Sequence, residues 1–180
     1  MKKGRFLASF FTLFAVLLVL WTSSQASNLY TDLLLGVSAP LGAATHGWIL
    51  ERAAEGPPVW VHGSARVDLS IQFDALGVGL IPLIALLGAT PATGWRRRVL
   101  PIVAGALLCF AFHVVVVVLF PLLVYHKNAF TDVLGTFLGL TSFVGAPVII
   151  WFALSFSTIR QWLPSFQARA EHSNRRARTR

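Results

Sequence analysis

The sequence predicts an all-α membrane protein: a four-transmembrane-helix bundle with a small external β-hairpin and an interfacial helix. Three observations carry this. The 180 residues are 56% hydrophobic and only 12% charged, the balance of a bilayer protein and not of a water-soluble core. Residues 99–125 contain no Asp, Glu, Lys or Arg, and a hydrocarbon core of about 30 Å needs only about 20 apolar residues in a helix. The run Arg96-Arg97-Arg98 lies between two such apolar stretches, as a short cytoplasmic loop would.

The spans are expected at about residues 6–21, 75–93, 99–125 and 133–156. The second carries Pro82 and Pro91, the third Pro101 and Pro121, and the fourth Gly145-Ala146-Pro147. Proline inside a span removes a backbone hydrogen bond and kinks the helix. Residues 1–160 form one integral membrane domain, with residues 22–74 as its external segment. Residues 161–180 form a basic cytoplasmic tail.

Orientation follows from Lys and Arg. Lys2, Lys3, Arg5, Arg96, Arg97, Arg98, Arg160, Arg169, Arg175, Arg176, Arg178 and Arg180 fall on one side of the predicted spans, and Arg52, Arg66 and Lys127 on the other. The larger set marks the cytoplasm, so both termini are expected there. Lys2-Lys3-Gly4-Arg5, an apolar run and Ser24-Gln25-Ala26 also have the order of a secretory signal peptide. More spans follow, and the first is read as a retained signal-anchor; the topology of the remainder is the same either way.

The external segment has two parts. Residues 33–50 are apolar but interrupted by Gly36, Pro40, Gly42 and Gly47, and are expected to form a helix lying at the membrane interface. In residues 59–73, Val67, Leu69, Ile71 and Phe73 alternate with Asp68, Ser70 and Gln72, the period of a strand with one wet face. Val59-Trp60-Val61 precedes it across His62-Gly63-Ser64-Ala65, giving a hairpin. A lone hairpin is marginal, so its apolar face needs a cover: the interfacial helix, the bilayer surface or a partner. Val67, Leu69, Ile71 and Phe73 are the candidate partner-contact residues.

Few residues offer chemistry. Cys109 and His113 are four apart on the third span and therefore share a helix face. A thiolate beside an imidazole is a nucleophile pair in many enzymes, but charging it inside a bilayer is costly. A small buried Cys and a His hydrogen-bonded to a neighbouring helix is the favoured reading. His113 and Cys109 are still the best intramembrane functional candidates. His46, His62 and His126 lie outside without metal-ligand spacing. Asp68 and Asp74 are six apart on an extended chain, about 20 Å, too far for a carboxylate dyad. The single Cys excludes an internal disulfide. No catalytic set, cofactor or metal site is expected. The isoelectric point of about 11.1 is explained by basic residues at span ends and in the tail, which meet the bilayer and not a nucleic acid.

Gly135 and Gly139 open the fourth span with small-x-x-x-small spacing, which lets helix backbones approach closely. Ala85 and Ala89 do the same in the second. Both are read as packing positions.

The stretch Phe73-Asp74-Ala75-Leu76-Gly77-Val78-Gly79-Leu80 opens a span directly after an external strand. It continues through Ala85-Leu86-Leu87-Gly88-Ala89-Thr90-Pro91 to the arginine cluster and a third span containing Gly105. This resembles the exosortase and archaeosortase superfamily, closest to its small exosortase-associated membrane proteins. The resemblance covers about residues 58–156. In those peptidases a Cys opens the corresponding span, and Arg and His stand on later spans. Here Ala75 holds the place of the Cys, and the third span carries no Arg. The resemblance thus implies a non-catalytic accessory protein of a protein-sorting system in the bacterial inner membrane, with an exosortase-type protein as partner. The other reading is a small membrane enzyme or carrier subunit using His113 in an intramembrane cavity.

Overall fold

The structure, a computed structural model, describes residues 3–52, 57–69, 77–91 and 94–161. The chain is mostly helical. The elements are α1 (Lys3–Ser23), α2 (Ala26–His46), β1 (Ile49–Glu51), β2 (Val59–His62), β3 (Ala65–Asp68), α3 (Leu80–Ala89), α4 (Trp95–Tyr125), α5 (Ala129–Leu140), a π-helical turn (Thr141–Gly145) and α6 (Ala146–Gln161).

Three helical stretches are long and apolar enough to cross a membrane: Gly4–Ser23, Trp95–Tyr125 and Ala129–Arg160. The expected second span is a helix of 10 residues, about 15 Å long and half the bilayer core. Its flanks, residues 70–76 and 92–93, lie outside the described residues. Four spanning helices are therefore not all present among the described elements.

Contacts between helices fix their directions. Leu13 of α1 lies against Gly88, and Trp21 against Gly77, so α3 runs antiparallel to α1. Gly105 of α4 meets Leu87 of α3 and Leu154 and Ile150 of α6. Trp151 Nε1 donates to Thr90 Oγ1 at 3.0 Å, and the Trp151 ring stacks on Phe6 at 6.3 Å. α1, α3, α4 and the α5–α6 stretch thus alternate in direction. Arg5, Arg96, Arg97, Arg98 and Arg160 share one end of the bundle, and Arg52, Arg66 and Lys127 the other.

The expected hairpin is present as β2 and β3, antiparallel, with Trp60 opposite Val67 and His62 opposite Ala65. Gly63 in the turn has φ +59°, a left-handed conformation that suits glycine in two-residue hairpin loops. A third strand, β1, pairs with β2 at Leu50 opposite Trp60. The alternation did not reveal β1, because three residues are too few for a period to register. The first expected part of the external segment is the longer α2, and Gly36 and Pro40 do not break it. Both sit on its outer surface, while Leu34, Ser38 and Gly42 form its buried face at helical spacing. The helix ends at Gly47, whose N–H bonds Ala43 O at 3.2 Å.

α2 supplies the hairpin's cover. Leu34, Leu35, Trp48, Trp60, Val67, Leu69, Val114, Val117 and Val118 form one buried cluster. The Trp60 ring lies over Gly42 so closely that a Cβ there would clash with it. Val67 and Leu69 are 6% and 1% exposed, so their expected role as partner-contact residues is corrected: they bury their side chains against this chain's own helix. Ile71 and Phe73 lie outside the described residues. Gly135 and Gly139 also depart from expectation. No atom lies within 4 Å of a Cβ built at either, and α5 has no buried residue, so neither packs inside the bundle. Ala85 and Ala89 are buried, at 0% and 6% exposure.

Candidate functional site

The site is built where three elements meet. α4 places Cys109 and His113 on one face, and both are 0% exposed. α2 begins one turn after α1, across Ser24 and Gln25. That short connection brings Tyr30 against α4. Tyr30 Oη lies 2.6 Å from His113 Nδ1, and Cys109 Sγ lies 3.7 Å from His113 Nε2. The Tyr30 ring meets Phe110 edge-on at 5.8 Å and Trp21 at 5.6 Å. His113 follows Arg98 by fifteen positions, about 22 Å along a helix, away from the arginine-bearing end of the bundle.

The third element is the π-helical turn. Pro147 has no N–H to offer and crowds the preceding turn, so the regular i to i−4 ladder cannot continue through it. The chain widens instead, and Ala146 N bonds Thr141 O. The next acceptor in that wider pattern, Ser142 O, would need a donor from Pro147 and has none. The His113 ring lies against the Ser142 backbone at this turn. Ser142 is itself fully buried, and its hydroxyl donates to Leu138 O at 2.7 Å.

One ring nitrogen, Nδ1, is paired with the Tyr30 phenol and the other, Nε2, faces the Cys109 sulfur, the direction of each contact following the tautomer of the ring. Both ring nitrogens are engaged by protein atoms, so the cluster ties α2, α4 and the α5–α6 junction together. It has the form of a satisfied buried polar network. The expectation of a His bonded to a neighbouring helix describes His113, with Tyr30 as the partner. The sequence reading missed Tyr30 and Ser142. Tyr30 is one of only two tyrosines and follows the first apolar run by a few residues. Pro147 was the available sign that a carbonyl one turn earlier would lack its donor.

The other candidates are scattered. The His62 ring packs beside Trp48 at 5.4 Å and His126 beside Tyr125 at 5.1 Å, while His46 closes α2. Among the described residues no group of three His, Cys, Asp or Glu side chains is placed to hold a metal ion. Asp68 is exposed on β3, and Asp74 lies outside the described residues. Arg52 pairs with Asp32 at 2.9 Å on the surface, an ion pair of small energetic weight. In the α2–sheet core, Ser38 Oγ and Trp60 Nε1 are buried without a partner.

Comparison with known families, curated proteins and solved structures gave no match.

Proposed function

We propose that this chain is a non-catalytic accessory protein of the bacterial inner membrane that acts by binding an exosortase-type membrane protein of a sorting system. The observation that carries the non-catalytic part is the occupancy of His113. Its two ring nitrogens already meet Tyr30 Oη and Cys109 Sγ, which supports a structural role for the ring. A carrier or enzyme built on His113 would need water at a ring that is fully buried.

The partner class rests on the resemblance. The order of external hairpin, apolar helix, arginine cluster and glycine-containing long helix is that of the superfamily, with Ala75 where the peptidases carry Cys. In this reading the chain crosses the membrane four times, with α3 in the second crossing, and both termini are cytoplasmic. The alternating helix directions and the gathering of Arg5, Arg96, Arg97, Arg98 and Arg160 at one end support that topology. The surface proposed for a partner within the bilayer is the α5 face, one of several exposed apolar faces, where Phe130, Val133, Phe137 and Leu140 are 61–72% exposed.

The test is purification in mild detergent from the protein's own host, with the partner identified by mass spectrometry. Recovery of an exosortase-type protein, lost on Phe137→Glu or Val133→Glu, is the expected result. Peptide cleavage by the purified protein alone would overturn the reading, as would its purification without any such partner from a host that encodes one.

A further inference from the structure

The basic end of the bundle holds a feature that association with a protein does not explain. A groove of about 570 Å³ runs between α1 and α3, lined by Ser9, Thr12, Leu13, Gly88, Pro91 and Arg98 among others. Its two walls differ in chemistry. The α3 wall offers Gly88, Ala89 and Pro91, which present little bulk and leave room. The α1 wall carries two hydroxyls, Ser9 and Thr12, beside Ala8 and Leu13. Arg5 does not line the groove but lies on the same helix face, one turn before Ser9, and Arg5, Ser9 and Thr12 are all exposed.

Those hydroxyls are unusual for a membrane helix. Thr22 and Thr90 return their hydroxyl protons to their own helix, at 3.0 and 2.7 Å. Ser9 and Thr12 make no hydrogen bond among the described residues. An unpaired hydroxyl in hydrocarbon is costly. The charges are equally unmatched. Arg5 and Arg98 have no carboxylate partner among the described residues, where the one ion pair is Arg52 with Asp32. The described acids, Asp32, Glu51, Asp68 and Asp132, belong to elements at the opposite end.

We infer that this groove binds an anionic phospholipid of the cytoplasmic leaflet. Arg98 and Arg5 meet the phosphate at the bundle's end. Ser9 and Thr12 lie about 9 and 14 Å along α1 from Lys3, below the headgroup plane, where their hydroxyls donate to the glycerol-ester oxygens. One acyl chain then lies over Leu13 and the small residues of α3. The polar order along the groove, cation first and hydroxyl deeper, is that of a phospholipid read from phosphate to ester. A soluble phosphate ion would use the arginines and leave both hydroxyls unpaired.

Native mass spectrometry of the purified full-length protein tests this. Phosphatidylglycerol, phosphatidylcholine and inorganic phosphate are added in separate arms. The wild type should retain phosphatidylglycerol at least about tenfold better than phosphatidylcholine, because two cations add charge-assisted bonds. It should retain no inorganic phosphate. Arg98→Gln should lower phosphatidylglycerol retention about tenfold, and the Ser9→Ala, Thr12→Val pair by a smaller factor. Arg66→Gln, at the external end, should change nothing. Each variant is compared at equal melting temperature by fluorescence, so misfolding is not read as lost binding. Equal retention of both lipids, a wild-type level in Arg98→Gln, or tight binding of phosphate alone would each overturn the proposal.

Discussion

Along α4, residues up to Cys109 face α3 and α6, whereas residues from His113 to Tyr125 face α2 and the sheet. The first half is packed by smoothness. Gly105 admits Leu87 to within 2.6 Å of where its Cβ would stand, and Leu83, Leu87 and Cys109 make a small apolar cluster. Inside a bilayer, lipid is as apolar as leucine, so close fit and few interhelical bonds must hold the helices. The second half is packed by area. Trp48, Trp60 and Leu69 bring large side chains onto Val114, Val117 and Val118, a core of the kind that water drives together. α4 is 31 residues long, about 46 Å, longer than the hydrocarbon core. Its far end is covered by α2 and the sheet. Tyr30, His113, Cys109 and Ser142 stand where the two regimes meet.

The comparison predicts where substitutions hurt most. Trp60→Ala removes the largest fully buried side chain and should cost about 3–5 kcal/mol. Thermal unfolding followed by near-ultraviolet circular dichroism should show the half built of α2 and the sheet melting first. A loss below about 1 kcal/mol would mean that the sheet is not a true core. Leu69→Asp acts on the same core and should be nearly as severe, because it buries a carboxylate without a partner. Its effect would be on folding of the sheet and not on a surface that meets another protein.

Gly105→Leu belongs to the other regime. It forces Leu87, Leu154 and Ile150 apart and should cost about 1–3 kcal/mol, read as a shift in detergent melting temperature with the half built of α2 and the sheet unchanged. If both halves lost stability equally, the division of α4 into two regimes would be wrong.

Tyr30→Phe keeps the ring and removes one hydrogen bond to His113. A loss of about 1–2 kcal/mol is expected, since Nδ1 is left buried and unpaired. A double-mutant cycle with His113→Phe should show coupling, measured as non-additive unfolding free energies. The smallest effect is expected at Ser38→Ala. Its hydroxyl is buried without a partner, so removing it should be neutral or stabilising by a fraction of a kcal/mol. Destabilisation there would reveal a partner for Ser38 Oγ.

Much of this organisation was legible in the sequence. The charge-free run before Tyr125 marked α4, and alternation with Gly63-Ser64 between strands marked the hairpin. What escaped did so for physical reasons. α2 contains Gly36, Pro40 and Gly42, each a helix breaker on its own. Packing overrides that tendency: Gly42 is required beneath Trp60, and Gly36 and Pro40 face outward. Strand β1 forms only because β2 is there to pair with it. Of the site, Cys109 and His113 were visible because both lie on one helix. Tyr30 is 83 positions from His113, and no local pattern records a contact that the turn at Ser24-Gln25 creates. Gly135 and Gly139 show the opposite failure: spacing alone suggested packing, and among the described residues no atom lies within 4 Å of a Cβ built at either.

The central claim is that the buried Tyr30–His113–Cys109 cluster holds the fold and that function lies in association. Its most direct test is Cys109→Ala in the native host. Partner capture and processing of the partner's substrates are measured at matched protein abundance. The account predicts both at wild-type levels, because the buried thiol faces His113 and packs with Leu83 and Leu87. Processing abolished at normal abundance, with capture intact, would contradict it and place chemistry at Cys109.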